Sequence, residues 1–187
     1  MAAIRVARPG LQTTVQDLGR WGLQSRGVPV AGAMDPRSCR QANALVSNDP
    51  GAATLEITLI GPELEFEDAR VVAVCGAAFD LWVSQVPVEM GSAFDVAPGD
   101  QLRFGARRAG ARAYLAVAGG IAVPPVFSSR STHLRSRMGG LDGRALVAGD
   151  SLPLGDGRQI RRRPGTAAVP GSHRAPTAAG GPARVRV

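Results

Sequence analysis

The sequence predicts a mainly β protein with one short helix, and three observations carry that reading. Short stretches of alternating apolar and polar residues recur along the chain with turn residues between them. The composition, with 24 Gly and 14 Pro, favours many turns over long helices. Only one segment, beginning at Asp35-Pro36, carries both a helix start and a helix stop. Many short strands at this spacing argue for a β-barrel or a sandwich with a single helix. Aromatic residues are only 4% of the chain against 44% hydrophobic, so aliphatic side chains and Ala must fill the core.

Ala3 to Ala7 alternates loosely and predicts a first strand. Pro9 to Gly32, rich in Gly and polar residues, reads as an ordered loop with short extended pieces. At Asp35-Pro36 the Asp can cap free N–H groups, and Pro is tolerated at the first helical position. The helix is expected to run to about Val46, burying Cys39, Ala42, Leu45 and Val46, and to stop at Asn48-Asp49-Pro50-Gly51. Thr54 to Leu59 and Glu63 to Glu67 alternate on either side of Gly61-Pro62 and read as two strands joined by a tight connection. Arg70 to Cys75, Asp80 to Val83, Pro87 to Met90, Gln101 to Phe104 and Arg112 to Ala118 continue the series. Ala97-Pro98-Gly99-Asp100 gives the clearest turn between them. Gly139 to Leu154 reads as the last ordered segment.

Two regions follow from the charge distribution. The formal net charge is +7. All 15 acidic residues lie in 1–156 beside 15 of the 22 arginines, so that part is neutral. Residues 157–187 hold the other seven arginines, no acid and almost no large apolar residue. They cannot bury enough surface to fold and read as a disordered Arg/Pro/Gly/Ala-rich tail. The positive charge thus says nothing of a nucleic-acid face on 1–156.

Every basic residue is Arg. Without lysine the chain can supply no Schiff base, phosphate-loop lysine or biotinylated lysine, so ATP or carboxybiotin chemistry would borrow those groups from a partner. Cys39 and Cys75 have neither disulfide-framework nor metal-ligand spacing and read as reduced core residues; no metal site is expected. Met1 to Gly10 has no apolar signal region, and the apolar run Val71 to Phe79 is too short to cross a bilayer. The expected location is cytoplasmic, with no membrane partner.

Three segments are denser in polar, Gly and Arg residues than a barrel needs. Thr13 to Arg20 places Asp17 and Arg20 three residues apart beside Gln16. Such a loop can bind a carboxylate or an amide through the Arg fork, or the pair can simply pin the loop. Gly27 to Asp35 leads to a helix N-terminus where an anion could bind, although Asp35 is also the natural cap; Asn43 follows on the helix. Ser128 to His133, followed by Gly139-Gly140 and Gly143-Arg144, suits an oxyanion or carboxylate site. Ser131 or Thr132 beside His133 does not make a triad, because sequence neighbours rarely meet in that geometry.

These segments resemble one family. PGLQTTVQDLGRWGLQSRGVPVAGAMD from Pro9 to Asp35, Ala42-Asn43 and LEITLIGPELEF at 55–66 are similar to its N-terminal signature. Tyr114 to Asp150, with YLAVAGGIAVPPVFSSRSTHL and the later Gly-Gly, Gly-Arg and Gly-Asp pairs, is similar to its middle signature. The family is the biotin-dependent carboxyltransferase group, also called allophanate hydrolase subunit 2 or KipA-like, and includes the 5-oxoprolinase C subunit. The resemblance covers about residues 4–154. It implies a cyclophilin-like β-barrel, here an incomplete one. It implies a subunit 1 (KipI-like) partner and a LamB/YcsF-type subunit, acting together as an ATP-dependent 5-oxoprolinase that opens pyroglutamate to glutamate. The alternative is biotin-dependent carboxyl transfer to urea. Carried over, the resemblance marks Asp17, Arg20 and Arg130 as catalytic, and Gln16, Asp35, Asn43, Ser131 and Thr132 as substrate-binding. The Arg side chains would meet a substrate carboxylate or phosphate, and the amide and hydroxyls would orient it.

The sequence departs from the family pattern twice. Ser128 stands where the family usually has Gly, which alters that turn. Family members also continue for roughly as long again after Gly149-Asp150, where this chain has its tail. That points either to a truncated or frameshifted member or to a short paralogue. A non-catalytic module that binds a KipI-like protein, or an inactive relic, are the competing functions; nucleic-acid binding by the tail is the least supported.

Overall fold

Nine strands and one α-helix build the protein in the computed structural model, which describes residues 2–157. The strands are β1 (Ala3–Arg8), β2 (Gln12–Gln16), β3 (Thr54–Thr58), β4 (Glu63–Phe66), β5 (Arg70–Val83), β6 (Val86–Val88), β7 (Ala93–Val96), β8 (Gln101–Val117) and β9 (Ser151–Pro153), with helix α1 (Pro36–Leu45) between β2 and β3. The fold is mainly β, as expected. Beyond Gly157 the expected tail lies outside the described residues.

All pairings are antiparallel, in the order β2-β3-β8-β4-β1-β9, with β5 on the other edge of β8 and β6 and β7 paired to β5. The sheet curls around one large apolar cluster, including Ile4, Val15, Leu55, Leu64, Phe66, Leu102, Leu115 and Leu152. Burying one such side chain contributes about 1.5–3 kcal/mol. A second, smaller cluster lies on the outer face, where Cys39, Ala42 and Val46 of α1 and its end meet Ala73, Cys75, Tyr114 and Ala116. Small side chains on both partners let the helix approach the sheet closely. Leu45, expected in that interface, is only half-buried.

Thr54–Thr58 and Glu63–Phe66 are two strands joined by a short connection, as expected, and each pairs with a different end of β8. Two expectations are corrected. Arg70 to Cys75 and Asp80 to Val83 are one strand, as are Gln101 to Phe104 and Arg112 to Ala118. In β5 the core-facing residues are Val72 and Val74, then Ala77, Phe79, Leu81 and Val83. The parity changes at Gly76, which has φ 103 and sits where the register with β8 shifts. A bulge turns the following residues to the other face, so the apolar period breaks while the strand continues. In β8, Leu102 and Phe104 give way to Ala113, Leu115 and Val117 across an exposed stretch containing Gly110 at φ 76.

Candidate functional site

Two of the polar segments meet. β2 ends at Gln16, and beyond it Asp17 reaches the loop that follows β8. Asp17, 7% exposed, accepts on Oδ1 from Gly19 N (2.8 Å), Ser129 Oγ (2.7 Å) and Ser131 Oγ (2.5 Å). Oδ2 accepts from Arg130 N (2.5 Å), and the Asp17 N–H donates to Ser131 Oγ (2.9 Å). A buried carboxylate is tolerated when donors satisfy it in this way. Gln16 Nε2 donates to Thr132 O (3.0 Å) and Thr14 Oγ1 (3.1 Å), while Thr132 Oγ1 donates to Val15 O (3.0 Å).

Arg20, 2% exposed, clamps the same loop. Nε donates to Val126 O (3.3 Å), and Nη2 donates to Ser131 O. Asp17 and Arg20 form no ion pair with each other; each is spent on the 126–132 loop. Burial pushes the Arg20 guanidinium below its ordinary value, with the Asp17 charge opposing. Arg20 Nη1 and Gln16 Oε1 are buried without a hydrogen-bond partner among the described residues. Gly139 and Gly140 close over this cluster: a Cβ at Gly139 would meet the Arg20 Nη2 atom at 2.6 Å, and one at Gly140 would run into Thr132. Arg130 is half-buried and donates from Nε to Val123 O (2.8 Å). Its two terminal nitrogens have no hydrogen bond among the described residues, which leaves a guanidinium fork able to take a carboxylate.

The structure therefore brings Gln16, Asp17, Arg20, Arg130, Ser131 and Thr132 together, and places Asp35 and Asn43 on α1. Asp35 caps that helix, accepting from Arg37 N and Ser38 N (both 3.1 Å) and Ser38 Oγ (2.6 Å). Burial alone would raise its pKa, but these bonds and the Arg37 charge outweigh burial and lower it. A carboxylate thus fills the position where a phosphate would sit on a helix N-terminus. Asn43 donates to Ala52 O (2.8 Å) and accepts from Asn48 Nδ2 (3.1 Å), which fastens the turn after the helix. His133 bonds Ser136 Oγ (2.7 Å) in the exposed turn that follows it, and Ser131 Oγ is spent on Asp17. Among the described residues no group of three or more His, Cys, Asp or Glu could hold a metal ion. A surface cavity of about 320 Å3 opens elsewhere, beside Arg70, Asp95 and Ala118, and none of the clustered residues lines it.

Sequence reasoning missed Glu56 and Tyr114, and gave Ser129, inside the polar segment it marked, no role of its own. Glu56 Oε2 accepts from Tyr114 OH (2.7 Å) and Met34 N (2.8 Å), and Tyr114 OH accepts from Asp35 N (2.7 Å). This carboxylate–phenol pair fixes the chain as it enters α1. Burial, then donation to Glu56, pushes the Tyr114 hydroxyl well above its ordinary value. The available signal was an acidic residue at mid-strand in Thr54–Thr58 and the chain's one tyrosine.

The carboxyltransferase domain profile, subdomains A and B, matches residues 26–186. The chain is 42% identical over 156 residues to the 5-oxoprolinase C subunit of Escherichia coli, a match covering 83% of this chain and 50% of that protein. It is 42% identical over 153 residues to a urea amidolyase of Lachancea kluyveri, covering 81% of this chain and 8% of that one. The crystal structure of the Kluyveromyces lactis urea carboxylase superposes with a TM-score of 0.79 at 42% identity, over 81% of this chain and 14% of that one. The chain thus spans about half the length of the bacterial 5-oxoprolinase polypeptide it matches. Shared sequence along nearly all the described residues and a shared fold agree: the chain belongs to the carboxyltransferase domain A and B family.

Proposed function

We propose that the chain contributes the substrate-facing part of a 5-oxoprolinase-type subunit, which acts with a subunit 1 (KipI-like) protein and a LamB/YcsF-type subunit in ATP-dependent opening of pyroglutamate to glutamate. The observation that carries this reading is the 42% identity over 156 residues to a 5-oxoprolinase polypeptide. In this reading Arg130 takes the substrate carboxylate on its free terminal nitrogens. Asp17 and Arg20 position the 126–132 loop, Ser131 and Thr132 set its backbone, and Gln16 holds it against β2. Asp35 and Asn43 support the site by ordering α1.

The residues of this chain do not fit the two expected cofactors. The sequence has no lysine to carry biotin, and Asp35 already caps the N-terminus of α1, so that helix end offers no cradle for a triphosphate. Both groups would arrive on partner subunits, and we derive no step through them. Biotin-dependent carboxyl transfer to urea is the second reading, favoured by the urea amidolyase and urea carboxylase relatives.

Reconstitution of the chain with the two proposed partners decides between them. Pyroglutamate-dependent release of ADP, with Arg130→Ala raising KM more than it lowers kcat, is the expected result. Turnover only with urea and a carboxylated biotin carrier would transfer the assignment to the second reading. No turnover in either set would end both.

A further inference from the structure

The Gly-rich segment before α1 is a strap whose bonds run in two directions. Three consecutive backbone N–H groups leave it for three different acceptors. Ala33 donates to Asp17 O (2.9 Å), Met34 to Glu56 Oε2 (2.8 Å) and Asp35 to Tyr114 OH (2.7 Å). Earlier in the strap Val30 O accepts from Arg20 N (2.9 Å). The strap therefore bonds the main chain of both Asp17 and Arg20. Gly19 and Gly32 let the two segments touch: a Cβ on Gly32 would stand 2.9 Å from Gly19 N, and one on Gly19 2.9 Å from Ala31 O.

A buried pair holds the strap from its other side. Glu56 on β3 and Tyr114 on β8 are partners in register, 7% and 0% exposed. The phenol donates to Glu56 Oε2 (2.7 Å), and Arg112 Nε lies 3.4 Å from Oε1, which balances the carboxylate's charge. A buried acceptor of this kind holds its donors, because the alternative is a desolvated group with no partner. Neither side chain has a hydrogen bond to the 126–132 loop among the described residues. The link to that loop runs through main chain: from the pair to the strap, and from the strap to Asp17 and Arg20, whose side chains grip the loop that carries Arg130.

We infer that Glu56 and Tyr114 are positioning residues for the substrate site: through the strap they set the main chain from which Asp17 and Arg20 hold the 126–132 loop, and so the place of the Arg130 fork. The inference rests on the reading of Arg130 above as the group that takes the substrate carboxylate, and adds the residues that aim it. The Gly27 to Asp35 segment thereby serves as a tie and not as an anion cradle.

Amide hydrogen exchange on the full chain, and kinetics of the chain reconstituted with the two proposed partners, test it together. In Y114F the Arg20 and Ala33 amides are expected to exchange at least about tenfold faster relative to the Val6 amide, which donates to Asp150 O and shares no bond with the strap. Pyroglutamate KM should rise at least about threefold with kcat within about twofold, the mark of lost binding and not of lost chemistry. E56Q keeps an acceptor for the Met34 N–H and should show both effects more weakly; it carries the same readouts if Y114F does not fold. V83A, a core truncation at the end of β5, should lower the melting temperature yet leave KM unchanged. Faster exchange confined to α1, as at Cys39 N, with KM unchanged in both variants, would overturn the inference. The pair would then anchor the helix alone, and the proposed function would stand. No turnover by the unaltered complex would end the functional reading, and the exchange rates at Arg20 and Ala33 would then decide by themselves whether the pair holds that segment.

Discussion

Asp17 is nearly buried, and four donors converge on its two oxygens. Asp17→Asn would turn two lone-pair positions into N–H donors facing donors. Hydrogen bonds to a charged acceptor contribute about 1.5–3 kcal/mol each, and an orphaned buried group adds its desolvation cost. The variant is expected to lose about 3 kcal/mol in urea denaturation; a loss under about 1 kcal/mol would mean that the loop re-forms without the carboxylate. Gln16, Asp17, Arg20, Ser131 and Thr132 were legible as a density of polar residues in Gly-punctuated loops. Their partners were not. Asp17 meets Ser129 across 112 residues, and Tyr114 meets Glu56 across 58. Neither spacing leaves a trace in local composition. The Asp17–Arg20 pair shows the limit from the other side: three residues apart, the two ignore each other as an ion pair and grip the same distant loop.

Helix α1 was legible at both ends, because a helix announces itself locally through its cap, its proline and its stop. Asp35→Ala removes the acceptor for two backbone N–H groups and is expected to cost about 1 kcal/mol in thermal or urea unfolding. The long strands were legible only in pieces. Gly76 and the 105–111 stretch shift the apolar parity without ending the hydrogen-bonded ladder, so period-2 reasoning split β5 and β8 in two. The Phe127-Ser128 turn is a separate case. Both residues hold positive φ, a conformation that costs an L-residue about 1–2 kcal/mol. Ser128→Gly should therefore stabilise the fold by a fraction of that, up to about 1 kcal/mol, and a lowered melting temperature would show that Ser128 makes a compensating contact.

Across the molecule, the two cysteines lie on opposite sides of the seam between α1 and the sheet, Cys39 on the helix and Cys75 on β5, both buried. Burial pushes the Cys75 thiol up to about 12, and burial also raises Cys39 despite its contact with Thr54. Neither should react with a thiol-specific disulfide reagent at neutral pH until denaturant is added; rapid labelling of the native protein would show that the helix lifts from the sheet. Acid should act through Asp35 and Asp150. Both are held below the usual carboxylate range: for Asp35 its cap bonds overcome burial, and for Asp150 the Arg144 guanidinium is the main cause. Because the folded values are depressed, their contribution is present above about pH 4, the unfolded range, and is lost as pH falls through the folded values. Melting temperature should accordingly fall below about pH 4, less steeply in Asp35→Asn.

The sheet order sets when the protein can finish folding. β1 lies between β4 and β9, so Ala3 and Ile4 pair with Pro153 and Leu152. During synthesis the first strand leaves the ribosome with both edges open; β4 closes one, and the other stays open until the segment around Leu152 follows, some 150 residues later. At about 5–20 residues per second this is a wait of many seconds. Throughout it the emerging chain exposes a strand edge with Ile4 and Val6 beside it, the kind of surface that chaperones cover and that aggregation exploits.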